Sequence, residues 1–137
     1  MEKEQTIKSV LRLDKIMFDK IEFRRVGTSS DKELELEIQS GIARRQDAEI
    51  YRVTLVLKGN KPEEYLFEIS LSGFFSIEES DELTESLREA LVSKNAVAIL
   101  MPYLRSQVSL LTAQPGVDCV VLPVFNINKM LEEKTEK

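Results

Sequence analysis

The chain has 137 residues, a net charge of −5, 42% hydrophobic and 31% charged residues. That length supports one domain with a hydrophobic core of its own, and the acidic balance argues against nucleic acid or an anionic membrane surface as a partner. Histidine is absent, which removes the commonest metal ligand and the commonest general base at neutral pH.

The expectation is a single domain over residues 1–137, with 1–13 and 132–137 as flexible ends. The opening MEKEQTIKSV has no apolar signal core, so the expected location is cytoplasmic. The longest apolar run, Ala96 to Leu104, stops at Arg105, short of the roughly 20 residues that span a bilayer. Direct membrane insertion is therefore not expected. Cys119 is the one cysteine; it has no disulfide partner within the chain and reads as a small buried hydrophobe.

In chain order, Ile16, Phe18, Ile21 and Phe23 alternate with one slip, which predicts a strand carrying a bulge. VGTSSDK comes next as a connector. ELELEIQS (33–40) sets Leu34, Leu36 and Ile38 on one face and Glu33, Glu35 and Glu37 on the other, a half-buried strand. SGIARRQDAE reads as the next connector. Tyr51, Val53, Leu55 and Leu57 define a third strand, and Tyr65, Phe67, Ile69 and Leu71 a fourth, with KGNKPEE between them as a hairpin loop. Glu64, Glu68 and Ser70 belong to the opposite, solvent-facing row. Four strands in succession predict an antiparallel meander with one wet face.

Helical spacing begins at DELTESLREALV, where Leu83, Leu87 and Leu91 lie four apart and acids crowd the start. It continues through NAVAILMPYLRSQVSLLTAQPG (95–116). Val97, Met101, Leu104, Val108 and Leu111 step by four and three, and Ile99, Leu100, Tyr103 and Leu110 widen the stripe. A helix on a small sheet buries a stripe of roughly 100°; this one exceeds what its own sheet covers and predicts oligomerisation. Pro102, inside this segment, costs about 3 kcal/mol in a helix interior and presses on the carbonyl of Ala98. VDCVVLPVFNI then crosses as an apolar strap that Pro123 keeps from forming a regular central strand. INKMLEE closes the chain as a short helix. Strands succeeded by helices give an α+β class, with a four-stranded antiparallel sheet and helices packed on one face.

No Walker loop, GxGxxG, CxxC or HExxH occurs. Helix-start and tail solvation explain Glu78-Glu79 and Glu132-Glu133 better than a cation site does. No cofactor, metal or enzymatic activity is expected.

Three segments in order, GFFSIEE (73–79), ILMPYLR (99–105) and VVLPVFNINKML (120–131), resemble the SecB protein-export chaperones. The resemblance covers roughly residues 14–131. It implies a dimer of dimers, with the main helices sandwiched between two sheets. Pro102 would then set a bend near the start of the main helix. It also implies an ATP-independent holdase binding unfolded polypeptides in apolar grooves, with preproteins for export as the expected clients. The expected client groove comprises Phe74, Phe75, Val120, Leu122, Val124, Phe125, Ile127, Met130 and Leu131. The expected oligomer interface comprises Phe67, Ile69, Leu71, Val97, Met101, Leu104, Val108 and Leu111. Glu22, Glu64 and Glu68 are the candidates for docking a partner such as the SecA motor. Where export members carry acids on the first strand, Lys20 and Arg24 stand here, and Glu68 alone keeps its acid; Glu22 and the Glu33/Glu35/Glu37 row could compensate. A chaperone dedicated to one partner, such as an antitoxin, is the alternative within this class. A small-ligand-binding α+β domain and a purely structural oligomerisation module are the alternatives outside it.

Overall fold

The computed structural model describes residues 11–44, 50–77 and 85–122. Four strands, β1 (Leu11–Arg25), β2 (Glu35–Arg44), β3 (Ile50–Lys61) and β4 (Tyr65–Ile77), precede one long helix, α1 (Glu85–Thr112). All three strand pairings are antiparallel. The class is α+β, with the helix on one face of the sheet, as expected.

The strand order is β1-β4-β3-β2. Only β2, β3 and β4 form the expected meander; β1 pairs with β4 at the far edge. Alternation specifies which face a side chain takes but not which edge a strand joins, so the departure lay outside what the pattern encodes. β2 also runs further than expected, because Ser40–Arg44 pair with Leu55–Tyr51 rather than forming a connector. Leu11–Leu13, expected at a flexible end, pair with Ile77–Phe75.

β1 has two irregularities, between Leu13 and Lys15 and between Phe18 and Lys20, where one slip was expected. The second inserts Asp19. Each added residue restores the facing of the strand residues after it, so Leu13, Ile16, Phe18, Ile21 and Phe23 all lie opposite inward-facing positions of β4.

The inward rows of β3 and β4 are the core: Tyr51, Val53 and Leu55 on one strand, Phe67, Ile69 and Leu71 on the other, each at most 1% exposed. α1 lies across them, chiefly on β4 and β3, presenting Ala96, Leu100, Leu104 and Val108. Gly73 lies beneath it: a Cβ there would stand 2.7 Å from Leu100 Cδ2, so a larger residue would make the Leu100 side chain shift.

α1 continues through Pro102, which lies past the middle of its 28 residues rather than near its start. Pro102 and Ala98 are both exposed. The carbonyl that loses its helical donor is therefore on the wet side, where water can satisfy it.

Candidate functional site

Past α1 the chain turns at Gly116, in a left-handed conformation (φ 81°), and runs back beside the helix. Residues 117–122 form neither helix nor strand, yet polar contacts with α1 fix them. The Val120 amide donates to the Thr112 hydroxyl at 2.8 Å, and the Ser109 hydroxyl donates to the Val120 carbonyl at 3.0 Å. The Arg25 guanidinium donates to the carbonyls of Gly27 and Gly116, each at 2.9 Å. This ties the turn to the end of β1.

Between this returning segment and α1 lies a groove of about 690 Å³. One wall is α1 and the residue after it: Pro102, Arg105, Ser106, Ser109, Leu110 and Ala113. The other is Cys119, Val121 and Leu122. Leu122 closes the floor at 1% exposure, while Leu110 and Val121 stand on the rims at 69% and 71%. Val121 thus projects outward while its neighbour Leu122 reaches the core. Cys119 is exposed rather than buried as expected; its thiol points towards the Ser109 carbonyl at 3.5 Å.

The expected groove residues divide. Val120 and Leu122 lie in the returning segment. Phe74 and Phe75, as neighbours in β4, take opposite faces and cannot share one groove. Phe75 is core at 0% exposure, whereas Phe74 lies on the outer face, with the Arg52 guanidinium 5.4 Å from its ring centre. Val124, Phe125, Ile127, Met130 and Leu131 lie outside the described residues.

The expected interface residues are also redistributed. Phe67, Ile69, Leu71, Val97, Leu104 and Val108 are each no more than 2% exposed within one chain, and Met101 is 8% exposed. They are covered by their own fold and offer almost no surface to another copy. Leu111 is half-buried. The apolar surface α1 leaves outside is different: Leu87 at 53%, Tyr103 at 46% and, on the groove rim, Leu110 at 69%, with Ile99 half-buried one turn before Tyr103. Sequence spacing defined a broad stripe but could not say which side of it the sheet would take.

On the outer face, Ser72, Thr54 and Arg52 surround the Asp19 carboxylate. The Ser72 hydroxyl donates to Asp19, Arg52 Nη2 pairs with it at 3.2 Å, and the hydroxyls of Thr54 and Ser72 lie 3.0 Å apart. The inserted residue of β1 thus supplies an acceptor for a serine with no exposure at all. Glu68 is half-buried, 3.5 Å from Lys20 Nζ, and faces Glu22 across the β1–β4 register. Glu22 is exposed. Glu64, expected on the wet face, is 6% exposed and bonded to Lys61 at 2.9 Å. Its backbone carbonyl accepts from Val26 and Gly27, so it belongs to the turn rather than to an open docking surface. The Glu64 bond holds the Lys61 ammonium above its ordinary range.

Among the described residues no group of three or more Cys, Asp or Glu side chains is placed to hold a metal ion. No helix among them is long and apolar enough to cross a membrane.

The family model described as preprotein translocase subunit SecB matches residues 12–137. The protein-export protein SecB of Anaplasma phagocytophilum is 31% identical over 70 residues, covering 51% of this chain and 44% of that protein. An uncharacterized protein of Methanocaldococcus jannaschii is 36% identical over 76 residues, covering 50% of this chain and 47% of that protein. The matches thus span less than half the length of these relatives. In fold, the chain is similar to a SecB-like chaperone of Mycobacterium tuberculosis solved with a ChAD peptide from an antitoxin. The TM-score is 0.72, the identity 13%, and the coverage 88% of this chain and 91% of that one.

Proposed function

The chain belongs to the SecB family, and from that premise we propose that it is an ATP-independent holdase that takes extended, unfolded polypeptide into the groove between α1 and residues 117–122. The observation that carries this reading is the pair of apolar rims: Leu110 and Val121 are exposed on either side of a groove floored by Leu122. An unfolded segment shields such surface at roughly 25 cal/mol per Å² of apolar area removed from water. Shallow aliphatic walls accept many sequences. Val124, Phe125, Ile127, Met130 and Leu131 come after Leu122 in the chain and remain candidates for the same binding surface. No catalytic step is part of this function.

We further propose that Tyr103 and Ile99, neighbours on one face of α1 that its own sheet leaves uncovered, meet a second copy. Several grooves on one assembly then add avidity for a long client.

Two client classes fit. Delivery of preproteins to a SecA-type motor calls for free acids on the outer face. Glu68 is instead paired with Lys20, and Glu64 is buried against Lys61. Of the three docking candidates that leaves Glu22 alone as an exposed acid, which favours a dedicated partner, as does the similarity in fold to a chaperone solved with an antitoxin peptide. The test is light scattering of an aggregating client with the parent chain and with Leu110→Ser/Val121→Ser. Both residues are exposed, so folding is expected to survive while protection is lost. Undiminished protection by the folded variant refutes this groove.

A further inference from the structure

Among the described residues, Arg105 is the one charged residue lining the groove. It is half-buried, and its Nε is shut off from solvent without a hydrogen-bond partner. Its guanidinium has no ion-pair partner either among the described residues. Among the described residues of the segment opposite, no carboxylate lines the groove. A cation held in an apolar wall with an unmet donor is costly, and a carboxylate is the acceptor that relieves that cost most fully, because guanidinium and carboxylate match geometrically and in charge.

We propose that Arg105 gives the groove a preference for client segments in which an Asp or Glu is embedded among aliphatic residues. The carboxylate binds the guanidinium while its aliphatic neighbours cover Leu110 and Val121. This rests on the holdase reading and adds a chemical class of segment to it. Charge complementarity is local here: the chain carries −5 overall, yet among the described residues the groove lining presents a single cation and no anion.

The test uses short fluorescent leucine-rich peptides identical but for one central position, Glu in one and Gln in the other, with binding monitored by anisotropy. The parent chain is expected to bind the Glu peptide about tenfold more tightly, the size of a charge-assisted hydrogen bond over a neutral one. Arg105→Gln is expected to erase the difference between the two peptides, and Arg105→Lys to keep part of it. Equal affinities in the parent, or a preference that survives in Arg105→Gln, overturn the proposal. The parent comparison alone decides if a variant fails to fold. Equal binding retires only the preference, whereas no binding of either peptide overturns the groove as well.

Discussion

The Val120 amide and the Thr112 hydroxyl, 2.8 Å apart, join the returning segment to the helix it has just left. The same hydroxyl donates to the Val108 carbonyl one turn earlier, also at 2.8 Å, and Thr112 has no exposure. One buried hydroxyl thus closes the end of α1 and fixes the groove's second wall. Thr112→Val keeps the shape and removes both bonds. Leaving the Val120 amide unmet costs about 1–3 kcal/mol. Amide exchange at Val120 is expected to accelerate, with client affinity falling as the wall loosens; unchanged exchange would show that the segment is held by packing alone.

Leu104 is fully buried against the sheet, so its truncation acts on the fold rather than on assembly. Leu104→Ala is expected to destabilise by about 2–5 kcal/mol, read as a lower urea midpoint. Tyr103→Lys, on the uncovered side of the same helix, is expected to keep that midpoint near the parent's and to shift the sedimentation of the assembly towards the single chain.

Much of the fold was legible in the sequence. The row Tyr51, Val53, Leu55, Leu57 and the row Tyr65, Phe67, Ile69, Leu71 are buried as their alternation required. The half-buried β2 shows where alternation stops informing. Ile38 is buried at 3%, but Leu36 and Ile42 on the same row remain 42% and 44% exposed, because β2 is an edge strand and α1 lies over β4 and β3. The resemblance groups Phe74 and Phe75 in one groove, but adjacent strand residues face apart. Parity puts Glu64 on the wet row, but it sits in the β3–β4 turn beside Glu63, whose φ of 72° breaks the alternation. The floor and rims of the groove depend on how residues 117–122 fold back, which no local period encodes.

The docking question on the outer face has its own experiment. Glu68 is partly screened and its partner Lys20 is nearly half exposed, so this pair contributes about 0–1 kcal/mol. Glu68→Lys is expected to leave the melting temperature and client protection close to the parent's. A loss of protection would place client contacts on the outer face.

Burial raises the Tyr65 hydroxyl above its ordinary pKa of 10.0. The folded state therefore holds the proton more tightly than the unfolded chain, and the contribution is fully present below pH 10 and lost as pH rises through the folded value. The stability of the parent is expected to fall more steeply above pH 10 than that of Tyr65→Phe. Parallel denaturation midpoints across pH 9 to 11 would contradict this.

The most direct test of the groove uses the chain's one cysteine. Cys119 is exposed and lines the second wall, so its alkylation rate, measured by mass spectrometry, reports on the groove at a single position. An unfolded client at saturating concentration is expected to slow that alkylation in proportion to the fraction of chain occupied, with the parent rate returning when the client is removed. An unchanged rate while the client is demonstrably bound would contradict the account and put the binding surface elsewhere on the molecule.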